Sequence, residues 1–385
     1  MSEPILVNVS QDEIDRRGSL VDACHHLQNS RVPVHIFADS PFYCRMAGIP
    51  IERMYEAPEH MIRAQILGWK GILEAVDCDI PRTPVMLDFG SCRTASSYGC
   101  RVLPQPGSVP GFEPWVASET DLLKLEKIDP CTTGMGGQAF EYYARYQELA
   151  DDFPVRYGAG EPVYPVRRAR LNTSSDGAFA IAAMIAGFDR VCIWCYDDPA
   201  LLNRLLDIIT EKEIERIRRS FETMGESAGP VGLIEDYCTY VSEDIHQQFI
   251  LPHQQRLRDA FDGVYFFHAC VADARFLEVW RDELDIGLLN GFKPQQGIAN
   301  LKRDYQPVAD ALGGRVVIET DFDGANVMSC DEATLGRAAR DFLEVFGDSK
   351  GVKLGATLCG GHRLDDLEKL NVLKQVVCAA AGGGR

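Results

Sequence analysis

A histidine and a cysteine two residues apart stand at the end of an apolar run in the C-terminal half of the chain. The run covers residues 264–267 and leads into His268 and Cys270. Side chains two residues apart on a β-strand project from the same face, so this imidazole and this thiol would lie side by side. Cys359 follows a second apolar run near the C-terminus. One imidazole and two thiolates form a three-ligand set for Zn²⁺ that leaves the fourth tetrahedral position open.

A simpler interpretation of an isolated His-x-Cys is a hydrogen-bonded histidine beside inert cysteines, because free cysteine is among the most buried residue types. The ends of the other apolar runs favour a functional site instead. In chain order these ends carry polar or metal-binding side chains: Asp236, His268 with Cys270, Asn290, Glu319 with Asp321, and Cys359.

Three further residues are candidates for catalysis: Asp236, Glu319 and His362. Two thiolates and one neutral imidazole would leave zinc formally neutral, a setting that suits the deprotonation of an incoming thiol. Glu319 or Asn290 is expected to fill the fourth position when substrate is absent. His362 closes the sequence Cys-Gly-Gly-His that begins at Cys359, and is a candidate proton donor or alternative ligand.

These residues must be positioned by short apolar runs that alternate with long amphipathic stretches. Asp198 and the proline after it predict the N-cap and first turn of a helix that runs towards Met224. Further helices are expected from Ser242, with a kink or restart at Pro252, and from Asp331. The apolar runs suit strands buried on both faces of a parallel sheet, and they cover residues 32–37, 84–89, 231–235, 264–267, 286–290, 316–320 and 353–358.

Strand–helix alternation without a break in composition predicts one α/β domain over residues 1–385, a (β/α)₈ TIM barrel with an N-terminal helical extension in residues 1–30. The alternative is an open doubly wound sheet. That fold usually brings a glycine-rich phosphate loop after an early strand, and the sequence has no convincing one. Residues 379–385, which are three alanines, three glycines and an arginine, are expected to form a flexible tail.

Charge and composition exclude several classes of function. The formal net charge of −18 argues against a nucleic-acid partner, because such partners require clustered Lys and Arg. The apolar stretches are too short to span a bilayer, and no leader pattern opens the chain. Thirteen cysteines, an odd number without a regular spacing, fit free thiols in a reducing compartment, so we expect a cytoplasmic protein.

In this order, several segments resemble the uroporphyrinogen decarboxylase superfamily, and within it the cobalamin-linked, zinc-dependent methyltransferase branch. The resemblance covers most of the chain. It rests on Arg31-Val32-Pro33-Val34, residues 177–182, Glu235-Asp236-Tyr237, residues 249–252, His268-Ala269-Cys270 and residues 355–359.

The resemblance implies a (β/α)₈ barrel in which His268, Cys270 and Cys359 hold zinc. It further implies that the zinc binds a small-molecule thiol and that a corrinoid protein, docked over the barrel mouth, carries the methyl group on its cobalamin. A homodimer is a possible assembly. The family usually continues its His-x-Cys with Gly-Asn, whereas residues 271–273 of this chain are Val-Ala-Asp. The predicted function is methyl transfer between the corrinoid protein and a thiol or similar acceptor.

Two other functions fit the same residues. A metal-independent decarboxylase would use Asp88 or Asp236 to stabilise a protonated pyrrole ring, and chelators would leave it active. The lack of an arginine-rich segment before Pro50 counts against that alternative. A non-catalytic barrel that binds a corrinoid protein or stores zinc would keep the metal ligands but show no turnover.

Overall fold

The computed structural model describes residues 2–82, 84–271, 273–294, 297–347 and 349–382. Within these ranges, seven strands form one sheet and four others form two small two-stranded sheets. The strands are β1 (Ile5–Val7), β2 (Val34–Ala38), β3 (Arg101–Leu103), β4 (Gly111–Glu113), β5 (Val155–Tyr157), β6 (Ser174–Ser175), β7 (Val231–Ile234), β8 (Val264–His268), β9 (Leu288–Asn290), β10 (Val317–Glu319) and β11 (Val352–Leu358).

Helices surround the large sheet and connect its strands. They are α1 (Gln11–His25), α2 (Ser40–Ala47), α3 (Ile51–Met54), α4 (Pro58–Ala75), α5 (Cys92–Ser97), α6 (Glu119–Leu125), α7 (Gly134–Leu149), α8 (Ala178–Ala186), α9 (Phe188–Asp197), α10 (Pro199–Met224), α11 (Glu243–Ile245), α12 (Leu251–Ala260), α13 (Ala274–Asp282), α14 (Leu301–Leu312), α15 (Gly324–Ser329), α16 (Glu332–Phe346) and α17 (Asn371–Gly382). Short 3₁₀ segments occupy Pro165–Arg168, Cys238–Tyr240, Ile298–Asn300 and Leu364–Leu370. Among the helices described here, no single one is both long and apolar enough to cross a membrane.

The large sheet is the wall of a parallel barrel. Its strand order is β2-β11-β10-β9-β8-β7-β6, and every pairing in it is parallel. The register aligns the strand ends, since His268 pairs with Asn290, and Asn290 pairs with Glu319. The predicted α/β barrel is confirmed, and its C-terminal edge carries the polar residues that follow the apolar runs.

The predicted strand at residues 84–89 is wrong. Its backbone has no strand partner; instead the Met86 N–H donates to Gln65 Oε1 at 2.7 Å, and the Met86 carbonyl accepts from Gln65 Nε2 at 2.8 Å. The apolar run that suggested a strand is only partly buried, because Val85 and Leu87 are buried while Met86 is exposed. A glutamine side chain on α4 therefore occupies the place of a neighbouring strand.

Residues 84–89 bridge the two open edges of the barrel sheet. Ser40, which follows β2, donates to the carboxylate of Asp88. Thr94 of α5, just after this segment, donates to Asp176, which follows β6. Side-chain hydrogen bonds of this segment and of α5, which follows it, thus reach both edges of the seven-stranded sheet.

The helix boundaries follow the capping residues read from the sequence. Asp198, Ser242 and Asp331 each accept a hydrogen bond from a backbone N–H in the first turn of α10, α11 and α16, respectively. The irregularity expected at Pro252 is a π-helical turn over His246–Ile250, which joins α11 to α12. A capping side chain satisfies a backbone donor that the first turn of a helix leaves free.

The two ends of the chain pack against the barrel. In the N-terminal extension, β1 pairs with β5, and α1 ends beside the start of β11, where the Cys24 thiol lies 3.7 Å from the Val352 carbonyl oxygen. The expected flexible tail at residues 379–385 is helical as far as Gly382, because α17 continues to that residue. Residues 383–385 lie outside the described ranges.

Candidate metal centre

Three potential metal ligands meet where β7 and β8 end. One donor atom each from Asp236, His268 and Cys270 lies within 4.8 Å of the other two. His268 Nε2 is 3.5 Å from Cys270 Sγ and 3.4 Å from Asp236 Oδ1. The group unites two of the zinc ligands predicted from the sequence with a residue that the sequence assigned to catalysis.

Strand pairing explains why these side chains meet. The register places Ile234, the last residue of β7, opposite His268, the last residue of β8. Two residues further along each chain segment, the Cys270 backbone N–H donates to Asp236 Oδ1 at 3.0 Å. This hydrogen bond fastens the two loops to each other and holds the thiol beside the carboxylate.

Cys359, the third predicted zinc ligand, lies just after β11 and outside this group of three. Its Sγ is 3.4 Å from Nδ1 of His362, and that nitrogen also accepts the Cys359 backbone N–H at 2.9 Å. Burial lowers the pKa of His362, and the charges of Lys369 and Arg45 lower it further. The same Nδ1 also lies 3.2 Å from the Cys359 carbonyl oxygen, so the imidazole packs closely against the Cys359 backbone and thiol.

The surroundings of Cys270 are negatively charged. Burial, followed by the charge and hydrogen bond of Asp236, raises the pKa of the Cys270 thiol to about 12, and Asp321 adds to the effect. Lys293 opposes this shift but is itself paired with Asp323 at 3.3 Å. A divalent cation among these donors would reverse the balance and favour the thiolate.

Asp321 is a buried acid close to the same site. Burial raises the pKa of Asp321 to about 6, against the opposing charges of Lys293 and His268. Its Oδ1 is buried without a hydrogen-bond partner among the residues described. The sequence marks Asp321 as a polar strand end, but the burial that changes its acidity depends on the folded barrel.

Glu319 lies behind His268 rather than among the donors. Its Oε2 accepts from Asn290 Nδ2 at 2.7 Å, and its Oε1 accepts from Lys353 Nζ. Burial alone would raise the pKa of Glu319, but the hydrogen bond from His25 and the charge of Lys353 hold it well below its usual range. Glu319 and Asn290, the two residues expected in the fourth zinc position, are therefore hydrogen-bonded to each other instead.

Two members of this network were missed from the sequence. The side chain of Lys353, in β11, is 2% exposed, and a lysine within an apolar strand is the signal that a buried acid must lie nearby. His25, the last residue of α1, contacts Lys353 Nζ through Nε2. Nothing local to the sequence of α1 indicates that contact.

Asp88, the candidate acid of a decarboxylase, lies at the bridge between the sheet edges. It accepts hydrogen bonds from Ser40 Oγ and, at 3.0 Å, from the Gly90 backbone N–H. The structure does not bring Asp88 into the donor group that contains Asp236.

The fold and the site together define a class: a parallel α/β barrel with nitrogen, sulfur and oxygen donors where its strands end. Residues 15–352 match the family model for uroporphyrinogen decarboxylase (URO-D). The chain belongs to that family, as the resemblance of its segments implied.

A solved structure with a similar fold is a methyltransferase from Methanosarcina mazei. It aligns with a TM-score of 0.62 over 96% of this chain and 98% of that chain, at 15% sequence identity. At that identity the similarity shows a shared fold. No curated protein sequence matches this chain significantly.

Proposed function

We propose that this URO-D family member is a zinc-dependent methyltransferase that moves a methyl group between a corrinoid protein and a thiol or similar acceptor. The observation that carries the proposal is the group formed by Asp236, His268 and Cys270, whose donor atoms lie within 4.8 Å of one another. The fold shared with a methyltransferase supports it. A cytoplasmic location and a homodimer belong to the same proposal.

The residues present fit a zinc ion. Nitrogen, thiolate sulfur and carboxylate oxygen are the donors that zinc takes in proteins. His268, Cys270 and Cys359 would hold the ion as the sequence predicts, and Asp236 would occupy the fourth position until a thiol substrate takes its place. The negative surroundings that keep Cys270 protonated would in turn attract a cation. Bound zinc would supply the Lewis acidity that lowers the pKa of a thiol.

We assign to Asp321 the role of accepting the proton that a thiol substrate releases. Its Oδ1 is buried and has no partner among the described residues, and its pKa of about 6 allows it to exchange protons near neutrality. When transfer runs towards the thiol, the S–H bond breaks and an S–CH₃ bond forms. The proton goes to Asp321, and the electron pair of the broken carbon–cobalt bond stays with the corrinoid.

The test is methyl transfer from methylcobalamin to a panel of small thiols, followed by the loss of methylcobalamin absorbance. We expect turnover that a chelator abolishes and added zinc restores. Cys270→Ala and Cys359→Ala should lose both zinc and turnover, whereas Cys378→Ala, which changes an exposed thiol on α17, should keep both. Full activity and full zinc in Cys270→Ala would contradict the proposal.

The same assays separate the alternatives. A decarboxylase would release CO₂ from a porphyrinogen in the presence of the chelator. A barrel that binds zinc and a corrinoid protein but transfers no methyl group to any acceptor would be a binding protein.

A further inference from the structure

A continuous line of polar contacts connects one end of the barrel to the candidate metal centre. His25 Nε2 contacts Lys353 Nζ, which donates to Glu319 Oε1. Glu319 Oε2 accepts from Asn290 Nδ2 at 2.7 Å. Asn290 Oδ1 lies 2.7 Å from His268 Nδ1.

The line crosses four adjacent strands of the barrel. Lys353 of β11 is the register partner of Glu319 of β10, which pairs with Asn290 of β9, which pairs with His268 of β8. It begins at the end of α1, beside the N-terminal end of β11, and finishes at the C-terminal end of β8.

The direction of each hydrogen bond follows from the one before it. Lys353 can only donate, and an ionised Glu319 can only accept. Asn290 must therefore turn its NH₂ group towards Glu319, which leaves its carbonyl oxygen facing His268. A carbonyl oxygen accepts, so His268 must carry its proton on Nδ1. The lone pair of the neutral ring is then on Nε2, the nitrogen that lies 3.5 Å from Cys270 Sγ.

We propose that Lys353, Glu319 and Asn290 are positioning residues that fix the Nδ1–H tautomer of His268 and so reserve its Nε2 for a metal ion. This inference rests on the proposed metal site and specifies how one of its ligands is prepared. The competing tautomer would place the proton on Nε2, towards Asp236 Oδ1 at 3.4 Å. The 2.7 Å contact to Asn290 is the shorter of the two and favours Nδ1–H.

A single isosteric substitution should exchange donor and acceptor in each hydrogen bond between residue 319 and His268. In Glu319→Gln, Lys353 still donates, so the new amide must turn its oxygen towards Lys353 and its NH₂ towards Asn290. Asn290 then accepts from residue 319 and donates to His268 Nδ1. The neutral imidazole is thereby driven to the Nε2–H form, which has no lone pair for a metal.

The primary experiment is ¹⁵N NMR of metal-free protein labelled at histidine, at a pH above the ordinary histidine range. His268 is assigned by the loss of its signals in His268→Gln. We expect Nδ1–H in the wild type, Nε2–H in Glu319→Gln, and Nδ1–H in Glu344→Gln, which alters an exposed Glu–Lys pair on α16. An Nε2–H wild type, or a Glu319→Gln variant that keeps Nδ1–H, would overturn the proposal.

A double variant is the control for misfolding, because Glu319→Gln alone leaves the ammonium group of Lys353 buried without its carboxylate partner. In Glu319→Gln/Lys353→Met the ammonium group no longer holds the amide oxygen, and the remaining neighbour on that side, His25 Nε2, is 3.8 Å from the oxygen, so residue 319 can accept from Asn290 again. We expect the Nδ1–H form of His268 to return. An Nε2–H form in this double variant would also overturn the proposal, since a purely structural role for Lys353 predicts no such recovery.

Metal affinity gives a second readout. Titration with Co²⁺, followed by its d–d absorption, should show binding about 10- to 100-fold weaker in Glu319→Gln than in Glu344→Gln. Equal affinity in the two variants would contradict the inference. A wild type that binds neither Co²⁺ nor Zn²⁺ would instead refute the proposed function, while the tautomer of the metal-free protein still decides the positioning role.

Discussion

At the scale of single residues, spacing revealed part of the site and tertiary structure supplied the rest. His268 and Cys270 follow from the two-residue repeat of a strand. Asp236 joins them only because β7 pairs with β8, a pairing that no local pattern encodes. Glu319 and Asn290 were predicted at strand ends, but their mutual hydrogen bond could not be predicted, since it is set by the register between neighbouring strands.

Asp321 gives a direct test of the chemistry at residue scale. Replacing its buried carboxyl in Asp321→Asn removes the proton acceptor, so thiol methylation should slow by about 10²-fold or more. Zinc content should not change, because Asp321 is not one of the proposed ligands. The rates are compared by methylcobalamin absorbance at saturating thiol.

The matched control is Asp323→Asn, which removes a carboxylate two residues along the same loop that pairs with Lys293. We expect it to keep most of the turnover. A wild-type rate in Asp321→Asn would show that the proton goes elsewhere.

At the scale of elements, local signals located helices better than strands. A helix is capped by its own neighbours, so Asp198, Ser242 and Asp331 marked their helices correctly. The error at residues 84–89 has a physical cause, because the backbone bonds of that segment go to Gln65, a side chain on α4 that the local sequence cannot reveal.

The cap of α10 should contribute measurably to stability. Asp198 accepts from the Leu201 N–H at 3.1 Å, so Asp198→Ala leaves a backbone donor of the first turn without that partner. We expect a loss of about 1 kcal/mol in the free energy of unfolding. Urea denaturation monitored by circular dichroism measures it, with Asp197→Ala as the neighbouring control. Equal midpoints for the two variants would show that the cap contributes nothing.

At the scale of the whole molecule, buried charges pack behind the bridge between the sheet edges. Glu213 on α10 accepts from Arg216 Nε at 2.9 Å and from the Tyr98 hydroxyl at 2.9 Å. Burial alone would raise the pKa of Glu213, but the charge and hydrogen bonds of Arg216 lower it below its usual value. Arg216, on the same helix, donates to the Ser174 carbonyl oxygen of β6 at 2.6 Å, so the paired guanidinium holds α10 against the edge of the sheet.

This pair predicts a pH-dependent stability. A carboxyl whose pKa is lower in the folded protein stabilises the fold above its unfolded pKa and loses that contribution as the pH falls through the folded pKa. Glu213→Gln should therefore cost about 3–5 kcal/mol at neutral pH, and the deficit should shrink in acid, below the ordinary value of 4.5.

Urea midpoints measured across that pH range provide the test. The control is Glu215→Gln, an exposed position on the same helix. A deficit that stays constant at every pH would mean that Glu213 is not an ionised partner of Arg216.

The barrel as a whole could be predicted, because the alternation of apolar runs and amphipathic helices extends along the chain. The bridge between the two edges of the barrel sheet could not be predicted, since it depends on contacts between residues far apart in sequence, such as Tyr98 with Glu213 behind it. The family match over residues 15–352 and the barrel agree with the sequence-based expectation.

Methyl transfer as proposed requires that the group formed by Asp236, His268 and Cys270 holds zinc. The most direct measurement is the zinc content per chain, by mass spectrometry, of protein purified under reducing conditions without a metal-binding tag. We predict about one zinc per chain. Protein that contains no zinc, and takes up none when incubated with the ion, would contradict the proposed zinc site.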